Sequence, residues 1–454
     1  MNIQAPLLIL LLTACAAASG GESPPAPLIR CQAELDRGVL PADQTQTAIV
    51  KISLAAAPPP PNANRSPVNL CLVLDRSGSM GGSKLENAKE AAMEALSRLG
   101  RNDVVSVVAY NSSVETLFPA QPLTDVAQVR NLIQGIHSSG NTALFGGVSQ
   151  AAAELRKHSE DQPKGMVHRM VLLSDGLANV GPSSPGDLSR LGAGLVKEGI
   201  SVSTVGLGDD YNEDVMTGLS RRSDGNTYFA ENSLDLPRIF TEELGDVLNV
   251  VARDARLVIE CGEGVKPVRT IGRDADIRGR RVVLDLNQLY GNQERYLLLE
   301  VEVPAFPDQS EIPLATARVR YHDVFQQTAG QHSASLWARF SSQEEAVSAS
   351  VNPRVQQDYY FNQSAMAKEE AIRQWEAGDT QGARRTLTTN SLLLQQASTQ
   401  YDLPELNREA ENLRQKEQEL ETLGLTKRNR KALKTEALQE SQQQRIKRHR
   451  SSSP

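Results

Sequence analysis

An apolar run, Val68-Asn69-Leu70-Cys71-Leu72-Val73-Leu74, ends abruptly in Asp75-Arg76-Ser77-Gly78-Ser79. That junction constrains the fold more than any other segment. A short run this apolar, bounded by a polar turn, reads as a strand buried on both faces, as in a parallel sheet covered by helices. The helix that follows is expected to open with Ser83 and Glu86 as a capping box. A carboxylate and two hydroxyls therefore stand in the loop at the C-terminal end of a buried strand, where open α/β sheets bind their ligands. All these donors are oxygens, which suits a hard cation such as Mg2+ rather than zinc or copper.

A lone Asp-x-Ser-x-Ser is a weak signal, but two more segments join it. Ser138-Ser139-Gly140-Asn141-Thr142-Ala143-Leu144 is a polar, glycine-containing loop that opens a helix. Val171-Leu172-Leu173-Ser174-Asp175-Gly176 is a second apolar strand ending in an acid. Strands expected at Val68–Leu74, Val104–Tyr110, Val167–Leu173, Ser201–Val205 and Thr227–Ala230 alternate with helical segments. A short antiparallel strand is expected at Val114–Phe118. This pace of alternation predicts an α/β domain over residues 68–250.

The set Asp75, Ser77, Ser79, Thr142 and Asp175, in this order and on these elements, resembles the metal-ion-dependent adhesion site of a von Willebrand factor A domain. The resemblance implies a doubly wound, mostly parallel sheet with Mg2+ at its top, or Mn2+ or Ca2+ in its place. It implies that Ser77 and Ser79 ligate directly and that Thr142 ligates directly or through water. Asp75 and Asp175 then act largely through water. One coordination position is left for a Glu or Asp of a partner protein. That is binding chemistry and needs no nucleophile, so the expected function is non-catalytic, Mg2+-dependent adhesion.

The flanks have different patterns. Residues 27–57 read as strands, with Ala48, Val50, Ile52 and Leu54 at period two. So few strands cannot form a core alone. They are expected to join a β-sandwich over 251–345, which makes the α/β domain an insertion. Residues 58–67 are a proline-rich spacer. Residues 350–425 read as helical, with Ala367, Ala371 and Trp375 at helical spacing in a hairpin that resembles a tetratricopeptide unit but has no second copy, so a structural helical cap is expected. Leu406, Leu413 and Leu420 mark an amphipathic helix. Lys427 to Arg450 carries nine Lys or Arg against two acids. Residues 426–454 are therefore expected to be a disordered, solvated tail, with contact to an acidic surface as the alternative. Asp209-Asp210 with Glu213 and Asp214 lacks calcium-loop spacing and reads as acids at a helix N-terminus. The whole arrangement resembles bacterial relatives of the inter-α-trypsin inhibitor heavy chains and of calcium-activated-chloride-channel-like proteins.

Residues 1–18 read as an export signal, too short to span a bilayer. Leu12-Thr13-Ala14-Cys15 resembles a lipobox, which implies lipidation at Cys15 and a membrane anchor in the cell envelope, at the outer membrane in a diderm cell. Cleavage after Ala16-Ala17-Ala18 is the competing reading and would discard Cys15. Cys31, Cys71 and Cys261 are too few and odd in number for a disulfide framework. Cys71 is expected to be a buried thiol, and pairing of Cys31 with Cys261 is left open. A net charge of −7 gives no nucleic-acid footprint. A hydrolase reading fails at Ser77, which stands where a Gly-x-Ser-x-Gly elbow needs its first glycine. The alternatives to adhesion are an adaptor for a separate ATPase machine and a structural envelope protein with an unused metal site.

Overall fold

The computed structural model describes residues 27–61, 63–158 and 165–444. Cys15, the export signal and residues 445–454 lie outside the described residues. The chain opens with β1 (Ile29–Leu35), β2 (Val39–Pro41) and β3 (Gln46–Ala56). The α/β region follows as β4 (Val68–Asp75), α1 (Ser83–Ser97), β5 (Val104–Tyr110), β6 (Val114–Pro122), α2 (Val126–Gln134), α3 (Leu144–Arg156), β7 (Val167–Ser174), α4 (Pro185–Leu195), β8 (Ile200–Leu207), α5 (Glu213–Arg222), β9 (Thr227–Ala230) and α6 (Leu236–Val247). Next come β10 (Val250–Cys261), β11 (Lys266–Ile271), β12 (Asp276–Arg278), β13 (Arg281–Tyr290), β14 (Glu294–Val303), β15 (Glu311–Asp323) and β16 (Thr328–Ser341). The last helices are α7 (Glu344–Ala349), α8 (Pro353–Glu376), α9 (Thr380–Tyr401), α10 (Pro404–Leu423) and α11 (Lys427–Ser441).

The α/β sheet has the order β6-β5-β4-β7-β8-β9 and is parallel except at β6. Every residue of β4, β5 and β8 is buried. The reason is coverage on both faces. Leu70, Leu72 and Leu74 pack with Leu85 of α1 and Ile239 of α6. Cys71 and Val73 face the other way, onto Val148 of α3 and Leu188 of α4. This is the parallel sheet covered on both faces that the alternation of strands and helices predicts, in the doubly wound form that the resemblance implies.

Around it sits a sandwich of a four-stranded sheet, β1-β3-β14-β11, and a six-stranded sheet, β12-β13-β10-β15-β16-β2. β3 lies between β1 and β14, and β10 lies between β13 and β15. The α/β domain is thus threaded between central strands of the two facing sheets. Cys31 and Cys261 belong to opposite sheets of this core, and with Cys71 they are buried free thiols.

Two expectations are corrected. The capping box does not form: Gly82, at φ 74, is the residue before α1, and Ser83 already lies inside the helix. Glycine adopts that left-handed conformation without strain, so the turn from the loop is completed one residue early. The disordered tail also fails over residues 427–441, which form α11 and dock on the α/β domain. Its cations found acids more than two hundred residues upstream. Lys431 pairs with Glu213 at 2.8 Å, Arg430 pairs with Glu213 and Asp214, and Lys427 pairs with Asp210 at 2.9 Å. Lys431 also lies over the Tyr211 ring, 4.7 Å from its centroid. Against the cost of burial, Arg430 and Lys434 hold the Asp214 carboxyl below its ordinary range.

The helical region packs through Ala371 of α8, Leu387 of α9 and Leu406, Leu413 and Leu420 of α10. α11 closes it against α8. Lys368 of α8, fully buried, reaches Glu409 of α10 at 2.8 Å and Glu440 of α11 at 2.9 Å. On its other side, α8 covers the outer face of the four-stranded sheet, where Val355 packs on Ile271 and Leu298.

The α/β domain meets the sandwich at a buried guanidinium. Arg169 of β7 donates to Ser203 Oγ at 2.9 Å, to Gln288 Oε1 at 2.6 Å and to the Tyr290 hydroxyl. Glu243 of α6 lies 3.3 Å from it, and both side chains are fully buried. Asp246, one turn further along α6, is half-buried beside Glu243, and desolvation and that neighbouring charge push its carboxyl up to about 6.

Removing one partner of such a pair leaves a buried, uncompensated charge. Arg169→Met is expected to cost about 3–5 kcal/mol in denaturant unfolding, and Arg169→Met with Glu243→Gln to recover part of it. Asp246 gives a pH test. Its folded pKa lies above the unfolded value of 3.8, so its stabilising contribution is complete below that value. The contribution is lost as pH rises through about 6. The stability of the wild type relative to Asp246→Asn should therefore fall across that window; a flat difference would contradict the shift.

Candidate metal centre

Five side chains from three loops converge at the C-terminal edge of the parallel sheet. Asp75 ends β4 and is fully buried. Its Oδ1 accepts from the Ser77 N–H at 2.8 Å, which folds the loop back over the strand end. Its Oδ2 accepts from Ser174 Oγ at 2.7 Å, which ties β4 to β7. Beneath them, the buried Tyr110 hydroxyl donates to the Leu173 carbonyl at 2.9 Å. Burial pushes the Asp75 carboxyl up; its hydrogen bonds from Ser77 and Ser174 oppose this, and the nearby Asp175 adds to it.

The hydroxyls form the inner surface. Ser77 Oγ and Ser79 Oγ are 3.1 Å apart. Ser79 Oγ donates to Asp175 Oδ1 at 2.6 Å. Thr142 is brought in from the loop before α3. Its N–H donates to Asn179 Oδ1 at 2.8 Å, and its carbonyl accepts from the Asn179 N–H at 3.1 Å. The Gly78 N–H donates to the Gly140 carbonyl at 3.0 Å, which joins the first and second loops.

Gly176 shows how closely the three hydroxyls converge. A β-carbon placed on it would lie 3.2 Å from Ser79 Oγ, 3.5 Å from Thr142 Oγ1 and 4.0 Å from Ser77 Oγ. The absent side chain leaves a small cradle walled by three neutral oxygens, with Asp75 and Asp175 behind them. This donor set fits a hard, oxygen-seeking cation such as Mg2+. Among the described residues, no group of three or more His, Cys, Asp or Glu could hold a metal ion.

All five residues singled out in the sequence come together here. Four neighbours were not singled out. Lys84, in the first turn of α1, places Nζ 2.6 Å from Asp175 Oδ2. Ser174 and Gly176 flank Asp175 in the segment already quoted. Their roles, to hold Asp75 and to leave space, appear only once β4 and β7 are adjacent. Asn179 carries no local signal at all.

A von Willebrand factor type A domain model matches residues 69–242. An uncharacterised protein of Synechocystis is 28% identical over 376 residues, covering 80% of this chain and 86% of that one. Human inter-alpha-trypsin inhibitor heavy chain H3 is 26% identical over 165 residues, which is 35% of this chain and 18% of that one. Among solved structures, the von Willebrand factor type A protein from Catenulispora acidiphila superposes with a TM-score of 0.67 at 17% identity. That likeness covers 85% of this chain and 91% of the other, so the sandwich and helices share the fold as well as the α/β domain. Residues 69–242 are a von Willebrand factor type A domain, and the chain is distantly related to the inter-alpha-trypsin inhibitor heavy chains.

Proposed function

We propose that this protein is a non-catalytic adhesion module that binds a partner protein through Mg2+ held at the A-domain edge. The observation that carries this reading is the cradle over Gly176, where the hydroxyls of Ser77, Ser79 and Thr142 converge in front of Asp75 and Asp175. Those three hydroxyls would hold the ion, and the two carboxylates would balance its charge. When bound, Mg2+ supplies an electrophilic position that a Glu or Asp of the partner occupies. Asp75 keeps the first loop closed, Asn179 fixes Thr142, and Lys84 holds the outer oxygen of Asp175. Leu177, directly after the cradle, is 58% exposed and offers the partner an apolar contact. The resemblance of Leu12-Thr13-Ala14-Cys15 to a lipobox supports an exported, lipid-anchored setting at the cell envelope.

Two variants separate the metal from the fold. Gly176→Ala puts a methyl group into the cradle while the loop keeps its backbone. It is expected to weaken Mg2+ binding at least about tenfold by calorimetry, with thermal unfolding unchanged. Lys84→Gln removes a cation that lies against Asp175 and is expected to tighten Mg2+ binding severalfold. Equal affinity in both variants and the wild type would place the ion elsewhere.

The partner is sought by pull-down from envelope extracts with the full chain, in Mg2+ or EDTA, and with Asp175→Ala. A protein retained by the wild type in Mg2+ alone is the expected result. Retention under all conditions would sink the metal-dependent reading.

A further inference from the structure

The two outer faces of the sandwich are treated differently. α8 covers the four-stranded sheet, whereas the six-stranded sheet turns an open, charged face to solvent. Along β15, Arg318 and Arg320 point outward on alternate positions, while Ala317, Val319 and Tyr321 fill the core. Arg256 of β10 is the register partner of Arg320, so two arginines stand directly opposite each other. Like charges in that position destabilise a sheet. Arg256 has Asp285 at 3.4 Å, and Arg281 on the next strand has Glu260 at 3.4 Å. Among the described residues no carboxylate pairs with Arg318 or Arg320. These side chains line a concavity of about 530 Å³. On β16, where Ser333 is the register partner of Arg318, Trp337 stands four residues further along on the same face and is 54% exposed.

We infer that this face binds an anionic polysaccharide. Guanidinium groups take carboxylates and sulfates through two parallel hydrogen bonds, which makes arginine the apt residue for such groups. Alternate residues on a strand repeat at roughly 6.8 Å and neighbouring strands at about 4.8 Å, so the arginines form a grid rather than a single point. A linear polymer with repeated acidic groups can occupy several of its positions together. The concavity itself has one apolar residue in its lining, Val258, and therefore lacks the buried apolar anchor on which protein partners depend. The exposed indole of Trp337 supplies a flat surface at the end of the grid against which a sugar ring can lie. The site is separate from the A-domain edge and uses no metal.

The test is binding of the full chain to immobilised polygalacturonate, with neutral dextran and poly-L-glutamate in parallel. The wild type should bind polygalacturonate, release it as salt is raised, and ignore dextran. Arg318→Gln with Arg320→Gln should weaken binding about tenfold or more, and Trp337→Ala severalfold. Asp175→Ala and EDTA should leave it unchanged, which keeps this result independent of the adhesion reading. The substituted residues are exposed, so the fold is retained, and relief of the opposed charges should leave thermal unfolding equal or higher. Wild-type affinity in the double arginine variant would overturn the inference. So would poly-L-glutamate binding as tightly with Trp337→Ala indifferent, which would assign the face to an acidic protein instead.

Discussion

The arrangement of this molecule rests on one buried cation. The α/β domain leaves the sandwich after β3 and returns at β10, so both ends of the insertion must meet the same body. Arg169 lies between them with no exposed surface. It is bonded to its own domain through Ser203 and Glu243 and to the sandwich through Gln288 and Tyr290. A guanidinium sealed from water must find its acceptors in fixed directions. An apolar contact would tolerate a slide or a small rotation between the domains; this cluster does not. Asp246 and Asn226 extend it, so the last helix of the A domain is tied into the same network.

The C-terminal helix adds a second constraint of the same kind. α11 presents cations to Glu213, Asp214 and Asp210 of the α/β domain, while Glu440 on the same helix meets the buried Lys368 of α8. Gln442, the residue directly after it, gives its carbonyl to Arg273 of the sandwich at 2.9 Å. One short helix thus bonds three bodies. The buried pairs among these, Lys431 with Glu213 and Lys368 with Glu440, contribute little net stability, but they disfavour alternative packings because a misplaced charge has no partner.

How much of this was legible in the sequence depended on distance along the chain. Asp75, Ser77 and Ser79 lie within five residues at the end of an apolar strand, so local pattern alone puts them at the C-terminal edge of the sheet. Thr142 and Asp175 were found because each also sits where a loop meets an element. Lys84, Ser174 and Asn179 act through contacts that exist only after β4 and β7 pair, and no spacing announces them. The tail was misread for a related reason. Lys427, Arg430 and Lys431 look solvated beside their neighbours in sequence, and the acids that pair with them stand at the start of α5 and just before it. The acidic group Asp210, Glu213 and Asp214, read as ordinary helix-start acids, is the other half of that same interface.

The chemistry of the edge follows from the neutrality of its inner surface. Had the three inward oxygens been carboxylates, a divalent ion would be neutralised within the protein and would have little attraction left for an external anion. Ser77, Ser79 and Thr142 supply oxygen without charge, and Asp75 and Asp175 stand one layer back. Burial already makes the charged form of Asp75 costly, so a cation in front of it gains from the field of that carboxylate while remaining open to another. Lys84 does for Asp175 what a fixed counter-ion can, since it holds the carboxylate in place on a flexible stem that can give way. The arginine face of the sandwich seeks anions by the opposite means, with charges carried by the protein itself and exposed to salt. The two surfaces should therefore respond to different conditions: chelation acts on the A-domain edge, and ionic strength acts on the sheet face.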